Sequence, residues 1–352
     1  MTEKSNHRIV FVNEASPLIG MGHILRSQVL ARTMYTRGYS ISGLTIGEAK
    51  AVLYAEERTA AENFVWPILR VLNSQAAIDH ILSDKPNLTV VDCTKAGQDI
   101  VLACASAGLA IVALDHFSSE NPLPSAVINL IDQNKHSLVG QPPSRDGVEY
   151  FEGPKYAIIR EDFLQARAQR FIRQERELIK NILITFGGAD PAGNSYRVLT
   201  LISTWPGKFI VDIVVGPLFA SKINGWTDIL IDNCVIRTHT SPILMGKLFE
   251  NADIIFCGGG GTLLEALCVG LPAIVMSQND AEINHAKSFV QLQACWIIDH
   301  VTWEIVSQVK NRKMLSVNAL KCVDGLGAER VCTIFEDQIV LNLKNLHNDF
   351  PK

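Results

Sequence analysis

The chain lacks the marks of several large protein classes. No stretch approaches the roughly 20 consecutive apolar residues that cross a bilayer. The polar start, Met1 to His7, carries no long apolar run of a secretory leader. Neither sign of charge dominates. With 36 acidic and 32 basic residues the net charge is -4, which gives no general attraction to nucleic acid or to an acidic membrane surface. None of the eight cysteines forms a Cys-x-x-Cys pair, and several lie in apolar runs such as Ile255-Phe256-Cys257. They read as reduced thiols of a core. The histidines show no metal-ligand spacing, so no metal site and no cofactor are expected. The expectation is a soluble, cytoplasmic protein with no membrane span and no nucleic acid partner.

What is present is apolar material in a regular rhythm. The 352 residues, 47% hydrophobic, suffice for two cores. Short apolar runs alternate with helical patterns. Strands are predicted at 8–13, 40–46, 88–92, 110–115 and 126–130, with helices at 22–37 and 99–107. The stretch 142–156, rich in proline, glycine and charge, interrupts this rhythm. A charged helix is predicted over 161–180, most simply a solvated face. A second series follows, with strands at 181–186, 209–215, 235–238, 254–257 and 273–276 and helices from about 194, 244, 262 and 282. The expected architecture is α/β, two Rossmann-like doubly wound domains facing a central cleft. Domain one spans 1–167 and domain two 168–352, with the C-terminal helix free to pack back.

Three glycine-bearing turns carry the chemistry. Gly20-Met21-Gly22-His23 follows the first strand and opens a helix through Arg26. It lacks the third glycine of the dinucleotide fingerprint, and no acidic residue stands about 20 positions on, along the second strand. His23 can exchange a proton near neutral pH; packing at the helix start is the alternative. Gly258-Gly259-Gly260-Gly261-Thr262 links a strand to a helix, with Glu265 one turn on. Backbone N–H groups there can cradle phosphate oxygens at a helix N-terminus, and Glu265 can accept from a ribose hydroxyl. No Gly-Lys-Ser/Thr follows, which excludes a Walker A loop. Gly187-Gly188-Ala189-Asp190-Pro191 follows the first strand of the second series, as a substrate loop or as a capping turn. Asp92 and Asp115 end strands, where they can orient substrate hydroxyls or His23, or cap backbone.

These segments resemble the UDP-2,4-diacetamido-2,4,6-trideoxy-altropyranose hydrolases of the pseudaminic acid pathway and related spore-coat polysaccharide proteins. The likeness runs over most of the chain. It rests on Gly20-Met21-Gly22-His23-Ile24-Leu25-Arg26, on 153–160 with Phe163, on Phe186 to Pro191, on the 258–272 loop and helix, and on Asp324 to Arg330. It implies a GT-B fold, a UDP-sugar substrate and loss of UDP at the anomeric carbon. The catalytic histidine falls on His23, the diphosphate site on Gly259 to Thr262 and ribose binding on Glu265. Gly20, Gly22, Arg26, Asp92, Asp115, Gly187, Gly188, Asp190, Gly258, Asn279 and Glu282 complete the expected substrate contacts. The family often reads Val-Val-Asp-Ser-Tyr where this chain has Val90-Val91-Asp92-Cys93-Thr94, and Asn-Gln where it has 278–284. An inverting UDP-sugar hydrolase is the leading expectation. A glycosyltransferase using the same site and a non-catalytic sugar-nucleotide binding subunit remain open.

Overall fold

The computed structural model describes residues 3–94, 96–115, 123–130, 148–173, 175–219 and 233–348. The 142–147 part of the proline-rich stretch lies outside them. The chain divides into two compact units, 1–158 with 326–352, and 159–325. The division falls between Ile158 and Ile159, and the last segment belongs to the first unit.

The first unit contains β1 (Arg8–Ala15), α1 (Gly22–Thr36), β2 (Ser40–Gly47), α2 (Ala49–Ala61), β3 (Ile68–Val71), α3 (Ser74–Asp84), β4 (Leu88–Asp92), α4 (Gly97–Ser106), β5 (Ile111–Leu114), β6 (Ala126–Asn129) and β7 (Glu149–Glu152). All seven strands are parallel, in the order β3-β2-β1-β4-β5-β6-β7. Parallel sheets need both faces covered. Accordingly β4 is buried at every residue and β1 at all but its first. One core face gathers Val10, Val12, Val91, Ile100, Ile111 and Val127.

The second unit contains α5 (Glu161–Ile172), β8 (Asn181–Thr185), α6 (Asn194–Ser203), β9 (Phe209–Val215), β10 (Cys234–Thr240), α7 (Gly246–Asn251), β11 (Ile254–Cys257), α8 (Gly261–Val269), β12 (Ala273–Val275), α9 (Asp280–Gln291), β13 (Cys295–Ile297), α10 (Trp303–Ser307) and α11 (Val309–Cys322). Its parallel sheet runs β10-β9-β8-β11-β12-β13. The first six strands of the first sheet and the six of the second therefore follow one plan. In each sheet the order of strand addition reverses, at β1/β4 and at β8/β11. In such sheets a crevice opens beyond the carboxyl ends of the strands at the reversal. This topology decides where functional side chains gather in each unit.

The last helix, α12 (Gly327–Asn348), packs on α1 and on the turn 154–156 of the first unit. A Cβ on Gly327 would stand 2.1 Å from the Ala157 carbonyl oxygen, so only glycine allows this approach. Phe335 meets Phe11 edge-on at 6.2 Å, and Arg37 pairs with Glu329 and Glu336.

The charged run departs from the expected solvated helix. It stops at Ile172, where Arg173 turns to extended backbone. The arginines point inward. Arg167 donates to the carbonyls of Cys268, Leu320 and Val323, and Arg170 to that of Ala252. Arg173 and Arg176 pair with fully buried Asp253, which also accepts from the Lys180 and Asn181 N–H groups. The aspartate and the orphan carbonyls of helix ends draw the segment out of its helix.

Candidate functional site

In the first unit the reversal point assembles a charged cluster. The β1–α1 turn is pinned by the Gly20 N–H donating to the Ser16 carbonyl, with Gly20 at φ +87°. Added Cβ atoms on Gly20 and Gly22 would meet nothing within 4 Å, so both lie beside open space. His23, in the first turn of α1, sets Nδ1 2.9 Å from both the backbone oxygen and Oδ1 of Asp92, at the end of β4. Both partners are acceptors, so Nδ1 carries the hydrogen and the neutral ring keeps its lone pair at Nε2. Arg26, one turn on, donates from Nε to Asp92 Oδ2 at 2.5 Å and from Nη2 to Asp92 Oδ1. Its Nη1 reaches Asp115 Oδ2 at 2.6 Å.

Burial shapes the charges of this cluster. The Asp92 side chain is fully buried and that of His23 12% exposed. Burial raises the Asp92 carboxyl, but the Arg26 and His23 charges and hydrogen bonds outweigh it and bring it down to about 2. For His23, burial opposes the charged form, while the Asp92 charge and hydrogen bond favour it and Arg26 disfavours it. The net displacement is upward. Arg26 is held charged by both carboxylates against its own burial.

Asp115 sits at φ +48°, a left-handed backbone that aspartate tolerates better than most residues. It is held from three sides. Its N–H donates to the Ile128 carbonyl, Oδ1 accepts from the Leu130 N–H, and Oδ2 accepts from Arg26. At the 93–94 departure, Cys93 turns its thiol to the Val12 carbonyl, and Thr94 donates N–H and hydroxyl to Glu14. Glu14, at the end of β1, also accepts from the Ala96 N–H. Nothing in the local sequence marks Glu14, because its role arises only when β1 and β4 lie side by side.

In the second unit the run of four glycines divides into two tasks. Cβ atoms on Gly258 and Gly259 would meet Glu282 at 3.0 Å and 2.3 Å, so these two glycines admit the start of α9. Gly261 faces open space, and Gly260 would meet only Glu282 Oε1, at 3.5 Å. These two, with Thr262, form the start of α8, whose first N–H groups have no partner within the helix. Gly187, at φ +79°, lies against Thr262, 3.9 Å from where its Cβ would stand to Oγ1. Gly188 lies against Gly216, and its carbonyl accepts from the Leu218 N–H.

Several expected contacts of this unit hold backbone. Asp190 accepts at both oxygens, from the Asn194 and Ser195 N–H groups, at the start of α6. Asn279 caps α9 by accepting from the Glu282 N–H. Glu282 Oε2 accepts from the Gly259 N–H at 3.0 Å and the Gln278 N–H at 2.8 Å. The pattern Asn279-x-x-Glu282 is that of a capping box, with the carboxylate turned to the glycine loop. Glu265, one turn into α8, accepts from Arg160 Nε at 3.1 Å, and the Arg160 guanidinium stacks over Phe163 at 4.5 Å. Arg160 had no assigned role in the sequence; the pair exists because α5 lies on α8.

The expected residues thus form two groups, one in each unit. His23, Arg26, Asp92 and Asp115 meet in the first, beside Gly20 and Gly22. Gly187, Gly188, Asp190, Gly258 to Thr262, Glu265, Asn279 and Glu282 gather at the β8/β11 end of the second. Among the described residues no group of three histidine, cysteine, aspartate or glutamate side chains is arranged to hold a metal ion, and no helix is long and apolar enough to cross a membrane.

Comparison with known proteins bears on the fold. Across 96% of this chain and 97% of the other, the structure superposes on the co-structure of S. aureus MnaA with UDP, at TM-score 0.63 and 12% identity. It superposes on the glycosyltransferase SnogD from Streptomyces nogalater at TM-score 0.57 and 17% identity, covering 94% and 99%. The fold is GT-B. Residues 241–315 match the glycosyltransferase family 28 C-terminal domain. That segment takes in the glycine loop, Glu265 and the α9 cap. The spore coat polysaccharide biosynthesis protein SpsG of Bacillus subtilis is 25% identical over 341 residues, 90% of this chain and 94% of its own. Uncharacterized protein MJ1062 of Methanocaldococcus jannaschii is 24% identical over 281 residues, 78% of this chain. The chain spans 56% of that relative's length.

Proposed function

We propose that the protein is a UDP-sugar hydrolase of surface-polysaccharide or nonulosonic acid biosynthesis. It acts on an acetamido-deoxy sugar nucleotide, as the sequence resemblance implies. The observation that carries this reading is the His23–Asp92 pair at the β1/β4 reversal, an imidazole with a fixed Nδ1–H and a basic Nε2. His23 Nε2 takes a proton from water as the water oxygen bonds to the anomeric carbon. The bond from that carbon to the diphosphate oxygen breaks, and UDP leaves with the electron pair. The sugar is released with inverted configuration. In the second unit the N–H groups of Gly260 to Thr262 meet the diphosphate and stabilise its growing charge. Glu265, aligned by Arg160, accepts from the ribose. The UDP in the MnaA co-structure and the polysaccharide role in the SpsG name support a nucleotide-sugar substrate.

Transfer to an acceptor hydroxyl is the second reading, favoured by the family 28 match over 241–315. A panel of UDP-sugars, assayed for UDP release with mass detection of the sugar product, separates the two. Free reducing sugar formed without an acceptor supports hydrolysis. UDP release only when an acceptor is supplied supports transfer. Binding without release under both conditions removes both readings in favour of a non-catalytic binding protein.

A further inference from the structure

Arg26 was expected to touch substrate, yet three of its nitrogens are turned to two carboxylates of its own unit. The decisive detail is that one oxygen serves two donors. Asp92 Oδ1 faces His23 Nδ1 at 2.9 Å and also accepts from Arg26 Nη2. Asp92 has no exposed surface, so water does not screen this competition. Asp115, at the remaining guanidinium nitrogen, shares the Arg26 charge with Asp92.

We infer that Arg26 is a positioning residue that shares the Asp92 carboxylate with His23 and so limits the proton affinity Asp92 would otherwise confer on the imidazole. Asp92 alone beside a histidine gives a base that fills with a proton below and around neutrality. A permanent cation on the same carboxylate leaves more of the imidazole uncharged, and the bidentate grip fixes the direction of Nδ1–H. Lysine supplies the charge without the fork.

No other charge described around α1 competes for this role. Glu14 of β1 is engaged with Thr94 and Ala96. β2 carries no ionisable side chain. Glu62, just past α2, pairs with Arg32 and Arg58. Glu329 and Glu336 of α12 pair with Arg37 at the opposite end of α1. Asp115 acts on His23 through Arg26. The directions of displacement agree: Asp92 raises His23 and Arg26 lowers it.

The functional meaning of this arrangement rests on His23 as the base, but the test does not use turnover. The His23 ring is followed by NMR of histidine-labelled protein across pH, its signal assigned by loss in His23→Asn. In Arg26→Met the His23 midpoint should rise by about 1 pH unit or more, the scale of one charge within 4–6 Å. In Arg26→Lys it should stay nearer the wild-type value, and in Asp92→Asn it should fall. A midpoint that is unchanged or lower in Arg26→Met overturns the inference. If that variant does not fold, Asp115→Asn decides. It leaves Arg26 to Asp92 alone, so the midpoint should fall, and an unchanged or higher value overturns the inference. A His23 that responds as expected in a protein that releases UDP from no sugar keeps this inference and removes the hydrolase reading. An unresponsive His23 whose replacement abolishes turnover does the reverse.

Discussion

Placing a side chain at Gly261 separates ligand binding from folding. A Cβ there meets nothing within 4 Å, and the residue is exposed at the first position of α8. Gly261→Val should therefore cost the fold little, and restricting the unfolded chain can add roughly 0.4–1 kcal/mol of stability. The same space is where a phosphate must come to reach the N–H groups of Gly261 and Thr262. A hydrogen bond to a charged group contributes about 1.5–3 kcal/mol. Losing one or two should raise the Kd for UDP by about 10- to 100-fold or more. The control lies two residues away. Gly259→Ala would force a Cβ to 2.3 Å from the Glu282 carbonyl oxygen, so it should lower the melting temperature before it says anything about UDP. Calorimetric titration with UDP and a thermal melt on each variant are the assays. Unchanged UDP affinity in folded Gly261→Val refutes the diphosphate placement. A Gly259→Ala protein as stable as wild type refutes the division of the glycines into packing and binding pairs.

Three other outcomes follow from the same geometry. Glu265→Gln should weaken UDP binding by about 1.5–3 kcal/mol, read by calorimetry, because a charged acceptor of the ribose is lost; equal affinity leaves Glu265 a structural role beside Arg160. Glu282→Gln should bind UDP as tightly as wild type or more tightly, since a carboxylate on the Gly259 N–H competes with an anionic ligand; a weaker complex assigns Glu282 a direct contact with the ligand. Asp92, lowered from 3.8 to about 2, contributes stability that is present above pH 4 and lost as pH falls toward 2. Melting curves of Asp92→Asn should accordingly show a shallower acid limb than wild type, and an identical limb contradicts the buried ion network.

How much was legible depended on how local each cause was. The strands β4 and β11 were read at their observed bounds, because apolar runs buried on both faces carry their own signal, and β9 was too, although Ile210 and Asp212 are half-buried. β3 escaped because it is a sheet edge with Leu69 and Arg70 exposed, and β13 because it is a short edge strand with Trp296 and Ile297 only half-buried. The caps formed by Asp190 and Asn279 were written locally, in Asp-Pro-Ala-Gly-Asn and Asn-x-x-Glu. The arginines of 167–176 misled because their partners at 250–253, 268 and 320–323 are distant in the chain. Asp92 and Asp115 were visible as strand ends. That Arg26 joins them needed the order of the sheet, which sets β4 beside β1 and β5 beside β4.

The most direct test of the account is turnover of a UDP-sugar by His23→Asn, measured beside UDP affinity in the same protein. The phosphate donors belong to the second unit, so UDP should bind the variant as it binds wild type. UDP release should fall by a factor on the order of 10²–10⁴, the scale of general acid–base catalysis. A variant that binds UDP normally and releases it at the wild-type rate contradicts the account and leaves His23 as a packing residue at the start of α1.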